Sequence, residues 1–266
     1  MHLDHTPNTT EQILEGGGRT LVTRQNQIVF REAKPWTPYI HLLLQHLQDN
    51  DFEAAPRIAG SGFDEQGRET LLHIEGEFVH PGPWSDEGLV LVGQILRRLH
   101  NATANFILPA DAVWQPWFLR ELGEGERVIG HGDLAPWNTL TRDGLPVALI
   151  DWEFAGPIDP IIELARVCWL FPQLHDDDVA KNVGLPPLET RMGQLRLLVD
   201  AYELPQTKRH GLFEKILEVA VCETANDAVE MNVTPSTEGL LWGLAWRARA
   251  AAWMLRNRRS IENALR

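Results

Sequence analysis

Three polar side chains near the middle of the sequence have the types and the spacing that bind a divalent cation. Asp133 and Asn138 lie five residues apart, and Asp151 follows an apolar run farther along the chain. The turn signal at 142–144 predicts a hairpin, and folding this hairpin about its turn brings Asn138 opposite Asp151. Carboxylate and amide oxygens are ligands that suit Mg²⁺. The sequence therefore predicts a magnesium site at the open end of the hairpin, with a second carboxylate beside it.

An aspartate and an asparagine five residues apart, followed by a metal-binding aspartate after a hairpin, form the arrangement with which kinases transfer a phosphoryl group. Here the two segments are His-Gly-Asp-Leu-Ala-Pro-Trp-Asn at 131–138 and Ile-Asp-Trp-Glu at 150–153. In both motifs the sequence resembles the aminoglycoside phosphotransferase family, and the resemblance continues through most of the chain. It implies an α+β, bilobal protein-kinase-like fold, with a small β-rich N-terminal lobe and a mostly helical C-terminal lobe.

The resemblance also implies a role for the polar residues of the two motifs. Asp133 would accept or orient the proton of an attacking hydroxyl, while Asn138 and Asp151 would hold Mg²⁺ on the phosphates of ATP or GTP. The implied activity is O-phosphorylation of a small molecule that carries a hydroxyl. Aminoglycoside-like and other polar polyhydroxylated compounds are the acceptors that the resemblance suggests.

Residues around the motifs receive supporting roles from the same resemblance. His131 would brace the catalytic loop, and Asp159 and Glu163 stand at the positions that usually support this loop. At the end of the N-terminal lobe, His73 and Glu75 would offer main-chain groups to the edge of the adenine ring. Their side chains are not expected to contact the nucleotide.

The strand pattern of the first 80 residues identifies a candidate phosphate-binding cation. No lysine lies inside a predicted strand there, whereas alternation along the second strand places Val29 and Arg31 on one face. Because a kinase strand carries a small apolar residue two positions before its cation, we predict that Arg31 binds phosphate and that Val29 lies under adenine. The next helix, at 39–49, has no glutamate to pair with Arg31. The candidate replacements are His41, Gln45 or an acid elsewhere.

Three consecutive glycines precede the first two strands. Gly16, Gly17 and Gly18 would form the loop over the phosphates, because glycine leaves backbone N–H groups open to a ligand. The segment matches neither G-x-G-x-x-G nor G-x-x-x-x-G-K-[ST], so by itself it predicts only a turn.

The predicted elements divide the chain into two parts. Short strands and one helix fill the first 80 residues, and long helical patterns dominate after residue 161. A glycine- and proline-rich segment separates them, so we predict a nucleotide-binding lobe at 1–76 and a catalytic and acceptor-binding lobe at 77–266. Within the last helix, Trp242, Trp246 and Trp253 share one face and are predicted to lie in the core.

Composition excludes several classes of protein. With 44% apolar and 23% charged residues among 266, the chain is not a disordered one. The net charge of −13 opposes binding to nucleic acid. No apolar run reaches the 18 or so residues of a membrane span, and two cysteines are too few for a disulfide framework. These features predict a cytoplasmic protein that has neither a membrane nor a nucleic acid as its partner.

Two other functions remain open on the sequence alone. A pseudokinase, which binds nucleotide as a regulator without turnover, is suggested by the missing strand lysine and helix glutamate. A metal-dependent hydrolase would use His131, Asp133 and Asp151, but it would be expected to have more imidazole ligands. The acceptor is also open. Glu223 and the acids four and seven residues after it share one helical face, so they suggest a cationic acceptor.

Overall fold

An antiparallel five-stranded sheet forms the N-terminal part of the protein. This computed structural model describes residues 10–14, 20–239 and 241–266. The strands pair in the order β1-β2-β3-β5-β4. Their bounds are β1 (Gln12–Ile13), β2 (Val22–Gln25), β3 (Ile28–Arg31), β4 (Ile58–Phe63) and β5 (Glu69–Leu72).

Tight turns and one helix shape this sheet. Asn26 takes a left-handed conformation, φ 55°, in the turn between β2 and β3. Helix α1 (Thr37–Asp49) follows β3 and buries the apolar stripe that its spacing predicts. That stripe consists of Ile40, Leu43, Leu44 and Leu47. The face of α1 that is buried is therefore the one that the sequence predicts.

Helices make up most of the remaining chain. They are α2 (Asp86–Thr103), α3 (Pro160–Leu170), α4 (Asp177–Asn182), α5 (Leu188–Ala201), α6 (Gln206–Arg209), α7 (Leu212–Glu230), α8 (Trp242–Arg256) and α9 (Arg258–Leu265). Ser85 caps α2 by accepting the N–H of Gly88 at 3.0 Å. Helix α3 is buried along almost its whole length, so it forms the centre of the helical part. The predicted fold class, sheet-rich at the N-terminus and helical after it, is confirmed.

Two small antiparallel sheets lie between α2 and α3. Strand β6 (Val128–Gly130) pairs with β9 (Gly156–Ile158), a strand that the sequence did not predict. Strands β7 (Thr139–Arg142) and β8 (Leu145–Leu149) form the predicted hairpin. Asp143 and Gly144 both have positive φ, 53° and 76°, as a two-residue turn of type I′ requires.

The register of this hairpin differs from the predicted one by one residue at Asn138. The turn is centred between Asp143 and Gly144, so Arg142 pairs with Leu145, two residues away from the predicted register. The irregularity between Leu140 and Thr141 then moves the pairing back by one residue. The N–H of Ile150, not of Asp151, therefore faces Asn138 and donates to its carbonyl at 2.9 Å. Asp151 still lies next to this pair, at the end of the hairpin.

The C-terminal helices differ in detail from the prediction. The segment predicted as one helix divides at Asn257 into α8 and α9. Trp253 is buried, as predicted, and Trp246 is partly buried, but Trp242 is 54% exposed at the first residue of α8. The prediction for Trp242 was wrong because the helix begins there, where the core no longer covers its face. No helix in the described ranges has the length and apolar character to cross a membrane.

Helices α2 and α5 pack closely at Gly93. A Cβ atom on this residue would lie 2.5 Å from the main-chain oxygen of Leu198, which already accepts the N–H of Tyr202. Such a distance is too short for any side chain, so the two helices approach through the glycine.

We predict that Gly93→Ala destabilises the protein because the new methyl group forces α2 away from α5. The expected loss is about 1–3 kcal/mol of the free energy of unfolding. Gly193→Ala is the matched control, because Gly193 lies exposed in α5 with no atom within 4 Å of a Cβ. This control should gain up to about 1 kcal/mol from helix propensity. Urea denaturation measures both, and equal effects would contradict the packing argument.

Candidate active site

The loop after β6 is held by its own histidine. The Nδ1 atom of His131 accepts the N–H of Asp133 at 3.2 Å, so its Nε2–H donates to the carbonyl of Ile150 at 2.9 Å. Burial lowers the pKa of His131, which favours the neutral ring. The two hydrogen bonds fix its tautomer. The bracing role predicted for His131 therefore has a geometric basis: it ties the loop to the end of β8.

Gly132 attaches the same loop to α3. Its φ is +79°, and a Cβ would lie 2.2 Å from the carbonyl oxygen of Phe154, so only glycine fits. Its N–H donates to Oε1 of Glu163 at 2.7 Å, while Oε2 of Glu163 accepts from His100 at 2.8 Å. Glu163 thus supports the loop as predicted. Asp159 instead accepts the N–H of Gly125, in the segment between α2 and β6, and it also caps α3.

The structure brings Asp133 and Asn138 into direct contact. The amide Nδ2 of Asn138 donates to Oδ2 of Asp133 at 2.9 Å and to its main-chain oxygen at 2.9 Å. This orientation leaves the Oδ1 atom of Asn138 as the acceptor that can face a cation. On its other side, Oδ1 of Asp133 contacts Nη2 of Arg166 at 2.8 Å. Sequence analysis missed Arg166.

Asp151 occupies a strained backbone position at the mouth of the site. Its φ and ψ are 65° and 62°, the left-handed region, which costs a non-glycine residue free energy. Its side chain is 41% exposed, and Oδ1 lies 3.2 Å from Nη1 of Arg31. The strained turn therefore places a carboxylate at the surface of the cleft, against the cation of β3.

The partner of Arg31 is a strand glutamate. Glu69 on β5 lies directly opposite Arg31 in the sheet, and the Nε–H of Arg31 donates to its Oε2. The other oxygen, Oε1, accepts from Nε2 of His41 on α1 at 2.9 Å. Burial alone would raise the pKa of Glu69, but the His41 hydrogen bond and the Arg31 charge outweigh it and hold this pKa below 4.5.

Glu69 answers the question that the sequence left open about Arg31. Helix α1 has no glutamate, and Glu69 on β5 takes its place as the partner of Arg31. His41 is the second partner of Glu69. Cross-strand pairing was the available signal, because an antiparallel neighbour of β3 had to place a residue opposite Arg31.

A cleft of about 580 Å³ collects these groups. Its lining includes the apolar side chains of Val22, Val29, Leu71, Leu140 and Ile150. Val29 and Arg31 both face the cleft, as the strand alternation predicted. Gly16, Gly17 and Gly18 lie outside the described residues, and the described residues that flank them, Leu14 and Thr20, both line the cleft.

The two predicted hinge residues differ in their placement. His73 lines the cleft, but its N–H already donates to the carbonyl of Gln27 at 2.9 Å. The main-chain donor predicted at His73 is therefore occupied. Glu75 is not a lining residue: its carbonyl accepts from Arg142 at 3.2 Å and its side chain pairs with Arg24 at 2.8 Å. The main-chain contact at Glu75 stays a prediction.

Charged side chains also line the cleft, and two acids of the predicted stripe, Glu223 and Asp227, are among them. Glu223 is buried and binds Arg166 and Arg247, and Asp227 lies 3.2 Å from Nη1 of Arg247. Glu230, the third acid of the stripe, is exposed and bonds with Asn226 of its own helix. Because arginines pair with the two acids in the cleft, the stripe argues only weakly for a cationic acceptor, which stays a prediction.

The oxygens of Asn138 and Asp151 are suited to hold Mg²⁺. They supply an amide oxygen and a partly exposed carboxylate to the lining of one cleft. Within the described ranges, no group of three or more His, Cys, Asp and Glu side chains forms a metal cage. Mg²⁺ commonly uses one or two carboxylates and completes its shell with phosphates and water, so this sparse set suits it.

Comparisons with known proteins agree with this geometry. Residues 108–185 match the family model described as the Phosphotransferase enzyme family. The chain is also 52% identical over 257 residues to the trifolitoxin immunity protein of Rhizobium leguminosarum bv. trifolii, covering 96% of this chain and 98% of that protein. The chain belongs to the phosphotransferase enzyme family.

Solved structures share the fold of this family member at low sequence identity. A microcompartment-associated aminopropanol kinase matches with a TM-score of 0.66 at 15% identity, covering 97% of this chain and 95% of that one. A choline/ethanolamine kinase family protein from Mesorhizobium loti matches with a TM-score of 0.59 at 16% identity, covering 98% and 94%. These likenesses confirm the kinase-like fold.

We predict that Glu69→Gln destabilises the protein only above the acid range. The Glu69 carboxylate is ionised in the fold at a pKa below 4.5, so its pairing with Arg31 stabilises the fold above about pH 4.5 and is lost as the pH falls through the folded pKa. At neutral pH the expected loss is about 1–3 kcal/mol. Denaturation at several pH values measures this difference.

Glu65→Gln, in the exposed turn between β4 and β5, serves as the control and should cost little at any pH. A deficit of Glu69→Gln that is equally large at about pH 3.5 and at neutral pH would refute the ion pair as its cause.

Proposed function

We propose that this phosphotransferase family member is a kinase that transfers the γ-phosphoryl group of ATP or GTP to a hydroxyl of a small molecule. The observation that carries the proposal is the joint placement of Asp133, Asn138, Asp151 and Arg31 around one cleft. The proposed division of labour assigns nucleotide binding to 1–76 and catalysis with acceptor binding to 77–266.

The apolar lining of the cleft would take the nucleotide base. Val29 and Leu71 from the sheet and Leu140 and Ile150 from the hairpin line the same cleft, and the planar ring would lie among them. At the far side of this pocket, the guanidinium of Arg31 would bind phosphate oxygens as a fork. Its contact with Glu69 holds the fork in place while leaving Nη1 directed at Asp151.

The catalytic groups would act by positioning and by charge. Asn138 and Asp151 would hold Mg²⁺, which when bound neutralises charge on the transferring phosphates. Asp133 would accept a hydrogen bond from the acceptor hydroxyl and orient its oxygen toward the γ-phosphorus. Phosphoryl transfer needs no covalent intermediate with the protein, so contacts that position the reactants and neutralise charge are the kind of catalysis that it requires.

The pseudokinase hypothesis loses part of its motive in this structure. It was motivated by the missing strand lysine and the missing helix glutamate; Glu69 supplies a carboxylate partner in place of that glutamate, while Arg31 stands in for the lysine. The hydrolase hypothesis lacks support as well, because both ring nitrogens of the buried His131 are engaged in hydrogen bonds within the fold.

The named relative suggests what the acceptor does in the cell. Since that relative is a trifolitoxin immunity protein, we propose that the acceptor is a toxin and that phosphorylation of its hydroxyl confers immunity. Aminoglycosides and other polar polyhydroxylated compounds belong in the same acceptor panel. The arginine-paired acids of the cleft argue only weakly for a polycation over a neutral acceptor.

The experiment is a screen for acceptor-dependent release of ADP or GDP, with mass spectrometry of the product. An acceptor that gains the mass of one phosphoryl group while nucleotide is consumed would support the proposal. Nucleotide binding without any turnover across toxins, aminoglycosides, amino alcohols and sugars would favour the regulator instead.

We predict that Asp133→Asn binds nucleotide like the wild type but loses turnover by about 10²–10⁴-fold, because the carboxylate that orients the hydroxyl is gone. Asp143→Asn is the matched control: Asp143 lies exposed in the β7–β8 turn, where asparagine also tolerates positive φ. Steady-state kinetics on the identified acceptor and titration of the Mg²⁺–nucleotide complex measure the two properties. Full turnover in Asp133→Asn would show that Asp133 is not catalytic.

A further inference from the structure

A buried arginine on α3 contacts the candidate catalytic carboxylate. Arg166 is 2% exposed; its Nη2 forms an ion pair with Oδ1 of Asp133 at 2.8 Å, and its Nη1 donates to the carbonyl of Leu134 at 3.1 Å. Arg166 also contacts Glu223 on α7, whose two oxygens accept from Nε at 2.8 Å and from Nη2 at 3.1 Å. All three nitrogens of the guanidinium are thus engaged.

Asp133 is consequently fixed at both carboxylate oxygens. Oδ2 accepts a hydrogen bond from Nδ2 of Asn138, and Oδ1 forms an ion pair with Nη2 of Arg166. Because each oxygen has its own partner, rotation of the carboxylate would break one of these contacts. Asp133 also lines the cleft.

The catalytic loop supplies no cation of its own. The residues between Asp133 and the loop tryptophan are Leu134, Ala135 and Pro136, none of which carries charge. The positive charge beside Asp133 therefore comes from a different element, α3. Leu134 contributes only its main-chain oxygen, as a further acceptor for Arg166.

Stability alone does not account for the Arg166–Glu223 pair. Both side chains are almost fully buried, and a buried ion pair often stabilises a fold no better than apolar residues of the same size. The pair is also extended by Arg247 of α8, which lies 3.3 Å from Oε1 of Glu223. What the charges achieve, and apolar residues would not, is a fixed cation beside Asp133.

We propose that Arg166 is the positioning residue for Asp133 and that Glu223 anchors Arg166 in turn. Helix α7 thereby sets the orientation of the carboxylate that faces the acceptor hydroxyl. This inference rests on the proposed kinase function, but it also makes a structural claim that stands without turnover. Asp133 keeps its position only while Arg166 and Glu223 are both in place.

The main test is the double variant Arg166→Met/Glu223→Gln. Removing Arg166 alone would leave Glu223 buried without its partner, which endangers the fold. The double variant removes both charges and leaves a neutral amide on α7 whose oxygen can still accept from Arg247. We expect a folded protein whose kcat falls on the order of 10²-fold, with KM for the nucleotide within about twofold of the wild type.

Conservative variants supply the rescue and the control. Arg166→Lys keeps the charge but loses the fork, so its kcat should lie between those of the wild type and the double variant. Arg191→Lys makes the same change at another buried arginine, which donates to the carbonyls of Gln173 and His175 away from the cleft. This control should keep the wild-type kcat.

Crystal structures of the wild type and both Arg166 variants give the second measurement. We expect the Asp133 carboxylate to rotate away from its wild-type position in the double variant. A folded variant with wild-type kcat, or an unchanged Asp133 in both variants, would overturn the proposal. If the wild type itself shows no turnover with any acceptor, the proposed function fails, and the Asp133 position still decides the positioning claim.

Discussion

The ion pairs of the Arg31 guanidinium connect the two sides of the cleft. The side chain leaves a strand of the N-terminal sheet, pairs with Glu69 on the neighbouring strand and reaches Asp151 beyond the hairpin. The charge of Arg31 helps to lower the pKa of Glu69, and its contact with Asp151 ties the sheet to the end of the hairpin. In the proposed function, this contact would hold a phosphate-binding group beside a metal-binding group, in a cleft whose apolar lining would take the base.

The other polar groups of the site are held in place because each buried charged side chain is paired with an opposite charge or a hydrogen-bond donor. Glu163 accepts from Gly132 and His100, and Arg166 connects Asp133 with Glu223. Each set joins the catalytic loop to a helix, because an unpaired charge at this depth would be costly. The loop geometry therefore depends on α3 and α7, and changes in those helices are transmitted to Asp133.

The sequence predicted what local pattern determines. The hairpin around Asp143, the strand face of Arg31 and the loop from Asp133 to Asn138 follow from turn residues, alternation and short spacing. Glu69 and Arg166 were not predicted, because their roles come from pairings between elements that are distant in the sequence. Helical spacing showed that Glu223 and its neighbours share a face, but not which way that face points. The hairpin turns between Asp143 and Gly144, earlier than the predicted centre, so its register differs from the prediction by one residue at Asn138.

Binding of ATP and adenosine to Arg31→Ala tests the central claim most directly. The account holds that Arg31 meets phosphate and that the base is bound by the apolar pocket. Calorimetric titration in Mg²⁺ should show the Kd for ATP raised about 10-fold or more, the loss of a charged hydrogen bond, with the Kd for adenosine changed less than about twofold. An equal loss for both ligands, or no loss for ATP, would contradict the account.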